Sequence, residues 1–177
     1  MDRTRERITR AAVDLHESIG PAATTMSAVA ERAGVTRATL YRHFANEAAL
    51  LAACSADWLA ANPRPDLARW AGIADPALRL ATGLEDLYAY YRSTERMRSN
   101  LLRDIAVLPA TIRSGIAAYP TAAVAVLASG WTSTGGHLRR AAIGHAVGFE
   151  TWRSLAGEGL TDTEAKDLMV RLVISVE

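Results

Sequence analysis

Cysteine is all but missing from this chain: Cys54 is the only one in 177 residues. That excludes an intramolecular disulfide framework and a multi-cysteine metal cage, and its Ala/Leu-rich surroundings make it a small core hydrophobe. Lysine is equally scarce, with Lys166 alone among 20 basic residues. Aromatic residues are only 6% of the chain, while Ala, Leu and Val abound, a balance that suits packed helices better than sheets. An excess of one charge is lacking too: the net charge of +1 does not by itself announce a polyanionic partner. The first residues, MDRTRERITR, have no apolar segment of the kind a signal peptide carries. Residues 114–136 are uncharged, but Pro120, glycines and hydroxyl residues interrupt them, and the densest apolar run, Ala122–Ala128, is too short for a bilayer. A cytoplasmic protein with no membrane partner is expected.

Catalytic patterns are lacking as well. His16, His43, His137 and His145 are scattered, and no pair has zinc-ligand spacing with a carboxylate partner. Nothing resembles a nucleophile elbow or a phosphate loop. The expectation is no enzyme, no metal and no cofactor.

What is present is helical periodicity. Ile8, Ala11, Ala12, Leu15 and Ile19 keep one face of a first helix that stops at Gly20-Pro21, and Arg3, Arg7 and Arg10 share another face. Met26, Val29, Ala30 and Ala33 mark a second helix, closed by Gly34 where a left-handed residue is wanted. Thr36 caps a third, Arg37–Phe44, with Leu40 and Phe44 inward. A fourth runs from Asn46 to Ala61, and Asn62-Pro63-Arg64-Pro65 reads as a linker. Beyond it the pattern predicts helices over 75–96, 98–107, 109–130 (kinked at Pro120) and 138–156, with Thr132–Gly136 as a loop. Thr161 and Glu164 form a capping box opening the last helix. The fold class is all-α, with about nine helices and no strand pattern.

The two short helices joined by Ala33-Gly34-Val35-Thr36 are the informative feature. This layout suits a helix-turn-helix, at about residues 25–44, whose second helix enters the DNA major groove. Arg37, Thr39, Arg42 and His43, with the Tyr41 hydroxyl, are donors suited to phosphates and base edges. A purely structural αα-corner would use the same turn.

The string AGVTRATLYRHF, with Arg7-Ile8, Ala11-Ala12, Leu15, Gly20, Thr24-Thr25, Val29-Ala30 and Leu50-Leu51 around it, resembles the tetracycline-repressor (TetR) family of regulators. The close resemblance covers about residues 7–51, and GFETWRSL is similar to that family's dimerising helix. It implies a DNA-binding domain at 1–46 and a helical effector-binding and dimerisation domain at 47–177. It further implies that Thr25, Thr36, Thr39, Tyr41 and His43 contact the DNA backbone, while Arg37, Ala38 and Arg42 face bases. Two positions depart from the family pattern: Glu47 stands where a phosphate-touching Lys is usual, and His16 where Phe is favoured. With Glu47 there, affinity would lean on Arg3, Arg7 and Arg10.

The implied partners are operator DNA, a second copy of the chain and an unidentified small-molecule effector. The expected dimer stripe is Ala141, Gly144, Gly148, Trp152 and Leu155, faced by Leu168, Met169, Leu172 and Val176. Pocket candidates are Trp70, Tyr88, Tyr91, Arg92, Met97, Asn100, Arg103, Asp104 and Trp152, which combine apolar area with a few polar groups. The resulting expectation is a repressor released from a palindromic operator by its effector. The alternative is a small-molecule-binding protein with a weak or vestigial DNA-binding head.

Overall fold

The computed structural model describes residues 2–131 and 136–176. Among them are ten α-helices and no strand: α1 (Arg3–Ser18), α2 (Met26–Arg32), α3 (Arg37–His43), α4 (Glu47–Ala61), α5 (Leu67–Ala71), α6 (Pro76–Arg103), α7 (Ala110–Leu127), α8 (Gly136–Val147), α9 (Phe149–Gly157) and α10 (Asp162–Ile174). Short 3-10 turns occupy Pro21–Ala23 and Ile105–Val107. The expected loop at 132–135 lies outside the described residues.

Three differences from the periodicity reading have local causes. The helix expected to end near Arg96 runs on to Arg103, because nothing between Arg96 and Arg103 breaks it. Residues 98–103 therefore belong to α6 rather than to a separate helix. An additional turn, α5, forms in the stretch after the prolines, where the Asp66 carboxylate accepts from the Ala68 amide at 2.8 Å. The helix expected over 138–156 is broken at Gly148, whose φ of −65° and ψ of 130° are extended. Pro120, by contrast, is accommodated inside α7.

The chain forms two compact units, Met1–Arg64 with Thr94–Arg113, and Pro65–Ser93 with Ser114–Glu177. The first is built on α1, which packs against both α2 and α4. Its core joins Ile8, Ala11 and Ala12 of α1 to Met26, Val29 and Ala30 of α2, Leu40 and Phe44 of the α3 segment, and Leu50 and Cys54 of α4. So α4, which a boundary after residue 46 would assign to the second domain, folds with the first. The second unit centres on Trp70, Leu80, Leu84, Leu87, Tyr88, Tyr91, Leu127, Ile143 and Trp152, all of them essentially sealed. Leu127 of α7 comes so close to α6 at Gly83 that a Cβ there would lie 2.6 Å from its Cδ2. A side chain at position 83 would force Leu127 to shift. Among the described helices, α7 alone is long and apolar enough to cross a membrane; its Ala123 and Leu127 are buried in this unit.

Candidate nucleic-acid interface

The turn between α2 and α3 is made by Gly34, whose φ of 64° lies in the left-handed region. The Val35 amide reaches back to Ala30 O at 2.9 Å and the Gly34 amide to Glu31 O at 3.0 Å, closing the end of α2. Both helices start on threonine caps. The Thr25 hydroxyl accepts from the Ala28 amide, and the Thr36 hydroxyl from the Thr39 amide, each at 3.1 Å. The Thr36 and Thr39 hydroxyls are themselves 3.0 Å apart.

With Leu40 and Phe44 turned into the core, α3 exposes Arg37, Ala38, Tyr41 and Arg42 together. The Arg37 guanidinium lies 6.0 Å from the centre of the Tyr41 ring, so one cation and one phenol share this face. Thr25 and Thr36 are exposed and Thr39 half-buried. His43 is placed differently. Its side chain is only 14% exposed, its Nδ1 sits 3.2 Å from the Asp2 carboxylate, and its Nε2 is buried with no hydrogen-bond partner.

The arginines of α1 divide by role, which helical spacing alone did not reveal. Arg7, though exposed, donates to Ala33 O at 2.5 Å and Gly34 O at 3.2 Å and so fastens α1 to the turn. Arg5 donates to His43 O at 2.9 Å and lies 4.2 Å from the centre of the Phe44 ring, covering the end of α3. Both guanidiniums satisfy carbonyls that a helix end leaves open. Among the described residues Arg3, Arg10, Arg37 and Arg42 carry no ion pair and are exposed. Glu47 is exposed in the first turn of α4, behind its Asn46 cap.

The sequence-derived pocket candidates separate into two groups. Met97, Asn100, Arg103 and Asp104 belong to the first unit, where three of them form a polar clasp on the end of α1. Asn100 donates to His16 O at 3.1 Å and Glu17 O at 2.8 Å. Arg103 donates to Ile19 O at 2.8 Å, to the Asn100 side-chain oxygen at 2.9 Å, and twice to Asp104 at 2.8 and 3.0 Å. Asp104 accepts from the Ala22 amide at 3.0 Å. Arg103, assisted by that amide, holds the Asp104 carboxyl below the usual carboxylate range, against the opposing effect of burial. Gly20, at φ 90°, lies against this clasp, and any Cβ there would collide with Arg103 and Asp104. Nearby, His16 is buried with its Nδ1 3.5 Å from the Cys54 sulfur. Burial lowers the His16 pKa and pushes the Cys54 thiol up to about 12, so the pair is neutral.

Trp70, Tyr88, Tyr91, Arg92 and Trp152 lie in the second unit, their polar atoms engaged by the fold. Trp70 donates to Asp86 at 2.8 Å, while Trp152 and Arg92 meet on Asp162 at 2.9 and 2.7 Å. An open groove of about 320 Å³ runs along the second unit, lined by Pro120, Thr121 and Val124 of α7 and by Arg140, Gly144, Val147 and Gly148. The expected dimer stripe is split by the break at Gly148. Ala141 and Leu172 are exposed, Gly144, Gly148, Leu155, Leu168 and Val176 are half-buried, and Trp152 and Met169 point into the core. Leu138 and Ile174, about half exposed, extend the outward apolar surface and were not singled out from sequence.

Residues 8–54 match the sequence profile described as "Bacterial regulatory proteins, tetR family". That segment, α1 to the middle of α4, is therefore similar in sequence to the N-terminal part of TetR-family regulators. The chain as a whole has the fold of solved TetR-family regulators. Against a TetR-like transcriptional regulator from Rhodococcus sp. RHA1 it is 21% identical with a TM-score of 0.68, over 98% of this chain and 96% of that one. Against the TetR-family regulator PfmR from Thermus thermophilus the values are 19% and 0.64, over 100% and 98%. NalD of Pseudomonas aeruginosa, the secondary repressor of the MexAB-OprM multidrug efflux pump, is 19% identical with a TM-score of 0.58, over 97% and 94%. No curated protein matches the chain in sequence. The matched segment includes α3, whose outward face carries Arg37, Ala38, Tyr41 and Arg42.

Proposed function

We propose that the protein is a ligand-responsive transcription regulator that binds a palindromic operator as a homodimer and releases it when a small-molecule effector binds. The observation that carries this reading is the outward face of α3, where Arg37, Tyr41 and Arg42 are exposed and form no ion pair among the described residues, while Leu40 and Phe44 anchor the helix from behind. In this reading Arg37, Ala38 and Arg42 face base edges, and Thr25, Thr36, Thr39 and Tyr41 position the helix on phosphates. The Thr36 and Thr39 hydroxyls can contribute while still capping α3. The inward ring of His43 makes it a buttress behind that face.

A seven-residue recognition helix reads few bases, so two half-sites about one helical turn apart supply the specificity. The outward apolar positions Leu138, Ala141 and Leu172 on α8 and α10 suit the pairing of two copies. An effector that favours a conformer with displaced heads would lower operator affinity through a coupling of about 1–3 kcal/mol. Repression is the sign we assign, with the chain acting in the cytoplasm and not as an enzyme.

The test is Tyr41→Ala and Arg42→Ala in fluorescence-anisotropy titrations with operator DNA. Arg42→Ala should weaken specific binding by about ten- to a hundredfold, the worth of a base contact, and Tyr41→Ala should weaken it through loss of a positioning phosphate contact. Unchanged affinity in both variants would refute the assignment. One observation favours a second reading, a small-molecule binder with a weak DNA-binding head: Glu47 is exposed at a helix start where a carboxylate would face phosphate.

A further inference from the structure

Helix α8 ends in two buried carbonyls. In an uninterrupted α-helix, Ala146 O and Val147 O would accept from the amides of Glu150 and Thr151. The chain instead turns extended at Gly148 and restarts as α9 with no side-chain cap. Ala146 is 0% and Val147 1% exposed, so their carbonyls are shielded from water although Gly148 is half-buried beside the groove. A buried carbonyl needs a donor, and here tyrosines of α6 provide it. Tyr88 OH donates to Ala146 O at 2.9 Å and Tyr91 OH to Val147 O at 2.6 Å. The two tyrosines are three residues apart, one above the other on one helix face, and so meet consecutive carbonyls.

We propose that the α8–α9 junction is a two-state hinge, locked in its bent form by the Tyr88 and Tyr91 hydroxyls on the last two carbonyls of α8. The competing form is one continuous helix from Gly136 to Gly157, which restores the backbone bonds that the bend forgoes. Gly148 has a negative φ, so the bend is not imposed by a left-handed turn, although a Cβ there would press on His145 O at 3.1 Å and the Thr151 hydroxyl at 3.2 Å. The bend folds α9 onto α6: Phe149 stands edge-on to Tyr91 at 5.4 Å between ring centres, and Trp152 lies 6.0 Å from Tyr91. The rings thus hold α9 in place and the hydroxyls hold the break, two roles that Tyr→Phe substitution separates. Val147 and Gly148 also wall the surface groove described above, so the hinge shapes that groove. The proposal does not depend on the DNA-binding reading.

Spin labels at His137→Cys and Ser154→Cys, in the full chain carrying Cys54→Ala and diluted with unlabelled protein, report the hinge by electron–electron distance measurement. A continuous helix places these positions about 25 Å apart along its axis, and the bend shortens that span. The straight population is expected to rise relative to the bent one by about fivefold per hydroxyl removed in Tyr88→Phe/Tyr91→Phe, the worth of one hydrogen bond. Gly148→Ala should move it the same way by favouring helix. The same single short distance in wild type, the double variant and Gly148→Ala would overturn the proposal.

Discussion

Replacing Asn100 by Ala removes the centre of the clasp on α1 without touching the face proposed to meet DNA. Asn100 is 9% exposed and its amide group serves His16 O and Glu17 O at 3.1 and 2.8 Å. Those carbonyls lie in the last turn of α1, where no further helical amide reaches them. Each hydrogen bond is worth about 0.5–1.5 kcal/mol net, and a buried carbonyl left without a donor costs about 1–3 kcal/mol. The loss for Asn100→Ala is therefore about 2–3 kcal/mol. For a chain of this size that is a fall of about 5–10 °C in the unfolding midpoint. Asn100→Asp separates the contributions, because it keeps an oxygen for Arg103 but offers α1 no N–H, and it should cost at least as much as Ala. Differential scanning calorimetry and urea titration read both variants. A change under about 0.5 kcal/mol for Asn100→Ala would refute the clasp as a stabilising element.

Three further outcomes follow from particular side chains. His16 is buried with a lowered pKa, so between that pKa and the ordinary 6.5 the unfolded chain binds more protons than the folded one. Its contribution to stability is whole above pH 6.5 and is lost as pH falls below it; His16→Phe should flatten that slope in urea titrations from pH 5 to 7, and an unchanged slope would contradict it. Glu47→Lys turns an exposed carboxylate at the start of α4 into a cation, and should tighten DNA binding and steepen the salt dependence by about one counterion. Equal affinity and slope in both proteins would place residue 47 away from phosphate. Ending the chain before residue 134 removes α8, α9 and α10 and should leave monomers in sedimentation equilibrium, whereas a persisting dimer would refute the assigned interface.

The helix-turn-helix was legible because its determinants are local. The caps Thr25 and Thr36, the left-handed Gly34 and the inward Leu40 and Phe44 all act within a few residues of one another. The capping box at Thr161 and Glu164 was legible for the same reason. What escaped was decided by partners distant in sequence. Arg7 shares a face with Arg3 and Arg10, yet only the folded chain shows that its guanidinium is taken by Ala33 and Gly34 carbonyls. Asn100, Arg103 and Asp104 combine polar groups as a pocket would, and their contacts lie about 80 residues away on the end of α1. The break at Gly148 could not be read from spacing, since apolar residues on both sides keep helical register while the donors that stabilise the bend come from Tyr88 and Tyr91.

The role proposed for the exposed face of α3 is sequence-specific DNA binding. The most direct measurement is titration of the wild-type protein on the DNA flanking its own coding sequence, across a salt series, with random DNA of equal length as reference. Binding to the flanking DNA should be at least about a thousandfold tighter than to random DNA, with both falling steeply as salt rises. Equal, weak binding to the two DNAs at every salt concentration would contradict it.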